Sequence, residues 1–209
     1  MTNIEKTISI ISAIDKTISE NKEYLSSLDQ AIGDGDHGFN LARGFEAVTA
    51  KLKASQPSSI GDVLKTTAMA LISTVGGASG PLYGTLFLKM ATALADKTET
   101  SLDSFVSAFK AGIDGVKERG KAVLGEKTML DVLIPVGELL EKESMQGTPG
   151  KEALAKAAAL AEKCRDETKD LLATKGRASY LGARSRGHID PGAASAYLMI
   201  KVIAQSLNA

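Results

Sequence analysis

Hydrophobic residues recur at three- and four-residue steps along most of the chain, the spacing that places them on one face of an α-helix. In the first segment Ile4, Ile8, Ile11, Ile14 and Ile18 follow this spacing. The same pattern predicts further helices over about 38–52, 60–74, 81–95, 102–119, 128–142, 148–174 and 190–207. No segment alternates apolar and polar residues with the period of two that is typical of a β-strand. We therefore expect an all-α protein, a single-domain barrel or bundle of about eight antiparallel helices.

Residues at the predicted helix ends support these boundaries. The predicted N-terminal caps are Thr2, Ser59, Thr148 and Asp190, each followed by an acid or a proline within three positions. Asn21 predicts a break in the first helical region, and Pro135 predicts a kink or broken turn inside its helix. The segment 175–189 is rich in Gly, Arg and Ser without an apolar period, so it predicts an ordered loop.

Composition and charge exclude several classes of protein. The chain has 209 residues, 44% of them hydrophobic, with Lys+Arg and Asp+Glu both at 25. A balanced charge creates no net field toward nucleic acid or membrane. The single cysteine, Cys164, excludes an internal disulfide and fits a reducing compartment. With neither a signal-peptide pattern nor an apolar run of membrane-span length, we expect a cytoplasmic protein without membrane or direct nucleic-acid contact.

The most informative stretch runs from Asp29 to Asn40. It places Asp29, Asp34 and Asp36 within eight residues, with glycines at 33, 35 and 38 that allow sharp turns. Carboxylates so close together repel one another unless a cation joins them. Oxygen ligands suit Mg²⁺ or another hard divalent cation. We predict a divalent metal loop, which opens onto a helix start whose free amides favour anions.

Other interpretations of this stretch exist. Residues 33–38 spell G-x-G-x-x-G, but a dinucleotide fingerprint needs a preceding strand and has no use for acids beside a pyrophosphate. A calcium loop counted from Asp34 would need glutamate at its twelfth position, where Phe45 stands. A solvated acidic turn stays open as the alternative to metal binding.

Two further segments have the chemistry of phosphate binding. Gly76-Gly77-Ala78-Ser79-Gly80 joins two predicted helices, and its small residues would let a phosphate reach backbone amides. The alternative is a helix C-cap with a tight turn. The basic segment 175–192 carries arginines suited to clamping phosphate as a lid, or it is a solvated surface loop. Together with the acids, these segments indicate Mg²⁺-assisted phosphate or nucleotide handling and leave the phosphoryl acceptor open.

Four segments resemble the ADP-binding L subunits of dihydroxyacetone kinases. They are residues 28–38, 76–81, 175–182 and 187–192, in the family's order, and the resemblance covers essentially the whole chain. It implies one L-type domain over residues 1–209, folded as a barrel of eight antiparallel helices with the nucleotide site at one end.

The resemblance also implies roles for individual residues. The metal ligands, which would hold two Mg²⁺ ions, are Asp29, Asp34 and Asp36. Residues near the nucleotide phosphates are His37, Asn40, Ala78 and Ser79, and the adenine and ribose pocket includes Gly120, Thr128 and Met129. The lid contributes Arg177, Asp190, Pro191 and Gly192. Of these residues, His37 and Arg177 are the expected catalytic groups.

The family implies a phosphotransferase that works with partner subunits. In the phosphotransferase-system form, bound ADP is rephosphorylated by the phosphohistidine of an M subunit and passes the phosphate to dihydroxyacetone on a K subunit. Single-chain kinases of the family instead use exchangeable ATP and carry a dihydroxyacetone-binding domain, for which this chain has no room. A third interpretation is an ADP-state sensor that docks on a transcription regulator. The fatty-acid-kinase type is disfavoured because its loop ends Asp-Thr-Gly, where this chain has Asp36-His37-Gly38.

Overall fold

The computed structural model describes residues 3–206, and this part of the chain folds into nine α-helices without a β-strand. The helices are α1 (Asn3–Glu20), α2 (Lys22–Ile32), α3 (His37–Ala54), α4 (Ile60–Thr74), α5 (Ser79–Ala93), α6 (Leu102–Gly120), α7 (Leu130–Met145), α8 (Gly150–Glu167) and α9 (Pro191–Ser206). Two 3-10 segments, Thr168–Asp170 and Arg177–Ser185, lie between α8 and α9. The predicted cap at Thr2 and the predicted helix end at residue 207 lie outside the described residues.

Eight of the helices form a closed ring. α1 packs on α3, each helix from α3 to α8 packs on the next one along the chain, and α9 packs back on α1. α2 lies outside this order and contacts both α3 and α9. Neighbours are antiparallel: Gly61 at the start of α4 lies against Leu94 and Ala95 beyond the end of α5, and Gly84 lies against Ile72. The predicted all-α barrel is confirmed.

The predicted apolar stripes form the core of the ring. In α3 the side chains of Leu41, Phe45, Val48 and Leu52 are all buried, at the three- and four-residue spacing of the sequence. Full burial of one such side chain stabilises the fold by roughly 1.5–3 kcal/mol. No helix in residues 3–206 is long and apolar enough to span a membrane.

The antiparallel order brings alternate connections to one end of the ring. Residues 33–36, 75–78, 121–129 and 168–190 meet at this end, because each follows a helix that points toward it. The three segments that the sequence singles out for phosphate chemistry therefore lie together, with the α6–α7 connection as a fourth member.

One predicted boundary is wrong. The helix predicted to run to residue 174 ends at Glu167, and a short 3-10 turn follows. The Thr168 side chain is buried, donates to the Arg165 carbonyl at 2.6 Å and accepts from the Asp190 amide at 3.0 Å. The Thr168 carbonyl accepts from the buried Lys127 ammonium as well as from the Leu171 amide at 3.2 Å, the backbone bond of the 3-10 turn. Tertiary contacts thus override a locally helical sequence.

Some of the other predicted helix ends are confirmed and some are wrong. Ser59 and Asp190 are confirmed as caps, since their side chains accept from the amides three residues on. Asn21 does separate two helices. Pro149, and not Thr148, is the N-cap of α8, and α7 runs through Pro135 as one continuous helix, so the predicted broken turn is absent there.

Candidate functional site

The three aspartates of the acidic loop converge at the open end of the ring. Asp29 lies in the last turns of α2, Asp34 in the loop and Asp36 at the N-cap of α3. One carboxylate oxygen from each lies within 4.8 Å of the others. Asp29 Oδ2 also accepts from the Asp36 amide at 2.9 Å and the His37 amide at 3.2 Å, so this carboxylate organises the loop. A Cβ at position 33 would overlap with Asp29 Oδ1, so any other residue there would displace the Asp29 carboxylate from its present position.

The electrostatics of this cluster fit a divalent cation. Burial raises the pKa of the Asp29 carboxyl, its amide hydrogen bonds oppose the rise, and the charges of Asp34 and Asp36 add to it. A cation would remove the repulsion among the three acids. It would also compensate the carboxylates for the hydration that they lose on burial. The donor set is oxygen only, which is the set that Mg²⁺ prefers.

The first amides of α3 are not free, contrary to the expectation from the sequence. The His37 amide donates to Asp29, and the Gly38 and Phe39 amides donate to Ser26 Oγ at 3.1 and 3.3 Å. Ser26 is buried in α2, which packs on α3. The N-terminus of α3 therefore binds protein oxygens, and anion binding falls to another helix.

That helix is α5, which follows the glycine loop. Gly77 has a φ of +66°, and α5 begins at Ser79, two residues later. Gly80 packs so tightly on the Val75 carbonyl that a Cβ would not fit. The amides in the first turn of a helix lack intrahelical partners and attract anions. Ala78 and Ser79 face the cavity at this helix start, as the phosphate-loop interpretation requires.

His37 is a buried, neutral link behind the phosphate loop. Its Nδ1 lies 3.0 Å from Ser79 Oγ, and its Nε2 lies 2.9 Å from Ser195 Oγ. Burial lowers the pKa of His37 to about 4, although a hydrogen bond to the Pro191 carbonyl opposes the shift. At neutral pH His37 therefore orients the Ser79 hydroxyl and brings no positive charge. Ser195 Oγ in turn lies 2.7 Å from the Tyr83 hydroxyl, so these side chains form one series of hydrogen bonds. Sequence spacing does not reveal this contact.

An apolar pocket lies beside the phosphate loop. Gly120, Thr128 and Met129, the residues predicted for the base and ribose, line the cavity here together with Leu82, Val116 and Ala122, which no sequence motif marks. Asp131 fixes the α6–α7 connection by accepting from the Thr128 amide at 2.7 Å and the Gly125 amide at 2.5 Å. The apolar side chains in this part of the cavity suit the face of a heterocyclic base.

The lid segment, residues 168–190, closes one side of the cavity. Arg177 Nη2 lies 2.8 Å from Asp34 Oδ2, which brings the lid to the acidic cluster. Only Lys175 and Arg177 of its basic side chains line the cavity, while Arg184 and Arg186 are exposed elsewhere on the segment. Near its end, burial raises the pKa of Asp190 to about 7, against the opposing effects of the Ala193 amide and of Lys127.

All the residues predicted for the site line one cavity of about 440 Å³. They are Asp29, Asp34, Asp36, His37, Asn40, Ala78, Ser79, Gly120, Thr128, Met129, Arg177, Asp190, Pro191 and Gly192. Lys127 and Arg119 also line it and were missed. Arg119 lies in the charged run 117–121 at the end of a predicted helix and Lys127 directly follows Glu126, so both have the pattern of solvated surface charges rather than of site residues.

The eight-helix ring brings three acids, a glycine loop and an arginine together at one end, which is an arrangement that suits a cation and a phosphate compound. Comparison with known proteins agrees. A model of the DAK2 domain matches residues 31–205, and the chain belongs to the DAK2 domain family.

Two relatives match nearly the full length of the chain. The ADP-binding subunit DhaL of the PEP-dependent dihydroxyacetone kinase of Escherichia coli (strain K12) is 48% identical over 89% of this chain and 89% of its own. The ADP-binding subunit DhaL of the PTS-dependent dihydroxyacetone kinase of Lactococcus lactis is 43% identical over 98% of this chain and 100% of its own. The resemblance to L subunits is confirmed.

A solved structure shares the fold. The dihydroxyacetone kinase of C. freundii, crystallised with AMP-PNP and Mg²⁺, superimposes with a TM-score of 0.75 at 24% identity. The match covers 96% of this chain and 33% of that kinase chain. At this identity the likeness shows a common fold only. The matched part makes up about a third of the C. freundii kinase chain.

Proposed function

We propose that this chain is the nucleotide-binding phosphoryl-transfer subunit of a dihydroxyacetone kinase, acting as one L-type domain over residues 1–209. It holds ADP with two Mg²⁺ ions, accepts phosphate from a phosphohistidine-carrying M subunit and passes it to dihydroxyacetone on a K subunit. The observation that carries this proposal is the convergence of Asp29, Asp34 and Asp36 with the Ser79 loop and Arg177 in one cavity.

Each group has a task that its position supports. The three aspartates would hold the cations, and bound cations supply charge neutralisation at the phosphates. The start of α5, with Ser79, would receive the phosphates through backbone amides and a hydroxyl. Arg177 would stabilise the charge of the group in transfer from the lid side. No side chain needs to act as a nucleophile, since the transfer rests on positioning and electrostatics.

The base and ribose would occupy the pocket of Gly120, Thr128 and Met129. Apolar side chains such as Leu82 and Val116 line part of its walls, so burial of the base face against them would supply binding energy. Asp190 caps α9 and thereby sets the turn Asp190-Pro191-Gly192 beside this pocket.

The relatives' names support the phosphotransferase-system form over the ATP-dependent form. The two relatives described above are separate ADP-binding subunits of similar length, named for PEP- or PTS-dependent kinases. The C. freundii kinase chain is about three times longer than its matched part. Docking on a transcription regulator stays a prediction about a further partner.

Bound nucleotide provides the test. The protein is purified in Mg²⁺ without added nucleotide, dialysed, denatured with acid, and the supernatant analysed for ADP. We expect close to one ADP per chain, and almost none for the Asp34→Ala variant, whose carboxylate is exposed and has no part in the core. An empty wild-type site that turns over added ATP with K subunit would instead favour the exchangeable-nucleotide kinase.

A further inference from the structure

The lid segment is tied to the barrel by a residue outside the cavity. Glu126, in the α6–α7 connection, accepts a hydrogen bond from the Thr174 hydroxyl at Oε1 over 2.8 Å. Lys175 Nζ lies 3.6 Å from the same oxygen, and the Thr174 amide donates to the Glu126 carbonyl at 3.4 Å. The other oxygen, Oε2, accepts from the Val123 amide at 2.8 Å, so the carboxylate is fixed on its own loop before it reaches the lid.

The two ends of the lid segment are held by Lys127, the residue that follows Glu126, and not by Glu126 itself. Lys127 is 1% exposed, and its ammonium donates to the Thr168 and His188 carbonyls. The Gly187 amide donates to the Lys169 carbonyl at 2.7 Å and closes the same base. The ends of the lid segment are therefore fixed independently of its middle part. The position of the middle part, which carries Arg177, depends on contacts other than those of Lys127.

Past Thr174 the lid turns outward and returns to the protein through contacts of residues 177–185 with α2 and through the buried Ser185, whose hydroxyl accepts from the Ala173 amide at 3.0 Å. Gly176 and Gly182 have φ values of +61° and +54°, and Tyr180 is 87% exposed. Arg177, which reaches Asp34, follows Thr174 by three residues. The contacts of Glu126 with Thr174 and Lys175 are thus the last ties to the barrel before the turn at Gly176 that precedes Arg177.

We propose that Glu126 is a positioning residue that latches the lid over the bound nucleotide through Thr174 and Lys175, and so sets how slowly the nucleotide leaves. Neither Glu126 nor Thr174 lines the cavity, so both act through the placement of Arg177. The same connection carries Thr128 and Met129, which line the cavity. This inference rests on the proposed function, because it concerns the release of the nucleotide assigned there.

The test uses Thr174→Val, which removes the hydroxyl and keeps the branched shape, with Thr174→Ser as the matched control. Protein loaded with radiolabelled ADP and Mg²⁺ is chased with unlabelled ADP, and retained label is followed by filter binding. We expect Thr174→Val to release ADP about fivefold faster, as loss of one hydrogen bond to a carboxylate implies. Thr174→Ser should stay within about twofold of wild type. Thr174 is exposed, so the urea midpoint of nucleotide-free protein should not move.

A double-mutant cycle ties the effect to Glu126. Glu126→Ala should speed release at least as much as Thr174→Val, and the double variant should release no faster than Glu126→Ala alone. Release from Thr174→Val at the wild-type rate, or additive effects in the double variant, would overturn the latch. Failure of wild-type protein to retain any labelled ADP would overturn the proposed function itself, so the two failures are distinguishable.

Discussion

Replacing Asp29 with asparagine is expected to leave the nucleotide-free protein at least as stable as wild type while it abolishes binding of Mg²⁺ and ADP. Asparagine keeps a side-chain oxygen that can accept from the Asp36 and His37 amides. It removes a charge that the fold disfavours, because burial and the neighbouring acids raise the pKa of Asp29. When the pKa of a carboxyl is raised in the folded state, the folded protein loses stability as pH rises toward that pKa. At pH 7 the uncharged asparagine should therefore be at least as stable as the ionised aspartate.

Alanine at position 29 provides the contrast. It removes the oxygen as well as the charge, and loss of each hydrogen bond to that oxygen costs about 1 kcal/mol. Two backbone amides then lose their partner together, so we expect the alanine variant to be about 2 kcal/mol less stable than the asparagine variant. Ligand at 100 times its Kd stabilises a protein by about 2.7 kcal/mol, and only wild type should gain this.

The assay is urea unfolding followed by far-ultraviolet circular dichroism at neutral pH, first in EDTA and then with Mg²⁺ and ADP. In EDTA the expected order of unfolding free energies is Asp29→Asn at or above wild type, with Asp29→Ala lowest. With ligand, wild type should rise above both variants. The reasoning fails if the asparagine variant gains as much from ligand as wild type does, or if both variants unfold at the same urea concentration in EDTA.

Three other outcomes are expected. Tyr83→Phe should cost about 1–2 kcal/mol in urea unfolding because its buried hydroxyl makes two hydrogen bonds; an unchanged midpoint would contradict this. In EDTA, wild type should lose about 4 kcal/mol relative to Asp190→Asn as pH rises from about 4 to 7, since the folded pKa of Asp190 is raised to about 7 and Lys127 offsets burial only in part; parallel stability curves would refute it. Arg177→Gln should slow phosphoryl transfer about 10³-fold at an unchanged urea midpoint, because the side chain is 70% exposed; transfer at the wild-type rate would remove Arg177 from the mechanism.

Local features were readable from the sequence. The spacing of apolar residues predicted the helices, and Ser59 and Asp190 marked helix starts because a cap acts within three residues. The three aspartates lie within eight residues, so their meeting required only a tight turn. The glycine loop, residues 76–80, was recognisable because its residues are also consecutive in the sequence.

Long-range contacts were not readable. The link from His37 to Ser195 spans 158 positions, and no periodicity marks either residue. Lys127 belongs to no recognisable motif, yet its buried ammonium donates to the Thr168 carbonyl just past the end of α8, 41 positions away. The amides of α3 looked free because Ser26, their partner, lies on another helix and carries no charge. In each case the ring brings together groups that the local pattern treats as unrelated.

The most direct test of the central claim is whether bound nucleotide serves as a resident phosphoryl carrier. Purified protein, dialysed and without added nucleotide, is combined with dihydroxyacetone, K and M subunits, phosphoenolpyruvate and the phosphotransferase proteins that charge the M subunit. We predict that dihydroxyacetone phosphate forms in many-fold excess over the ADP bound to the chain, and that Asp34→Ala protein gives none. Product that forms only when ATP is supplied and consumed mole for mole would contradict the account.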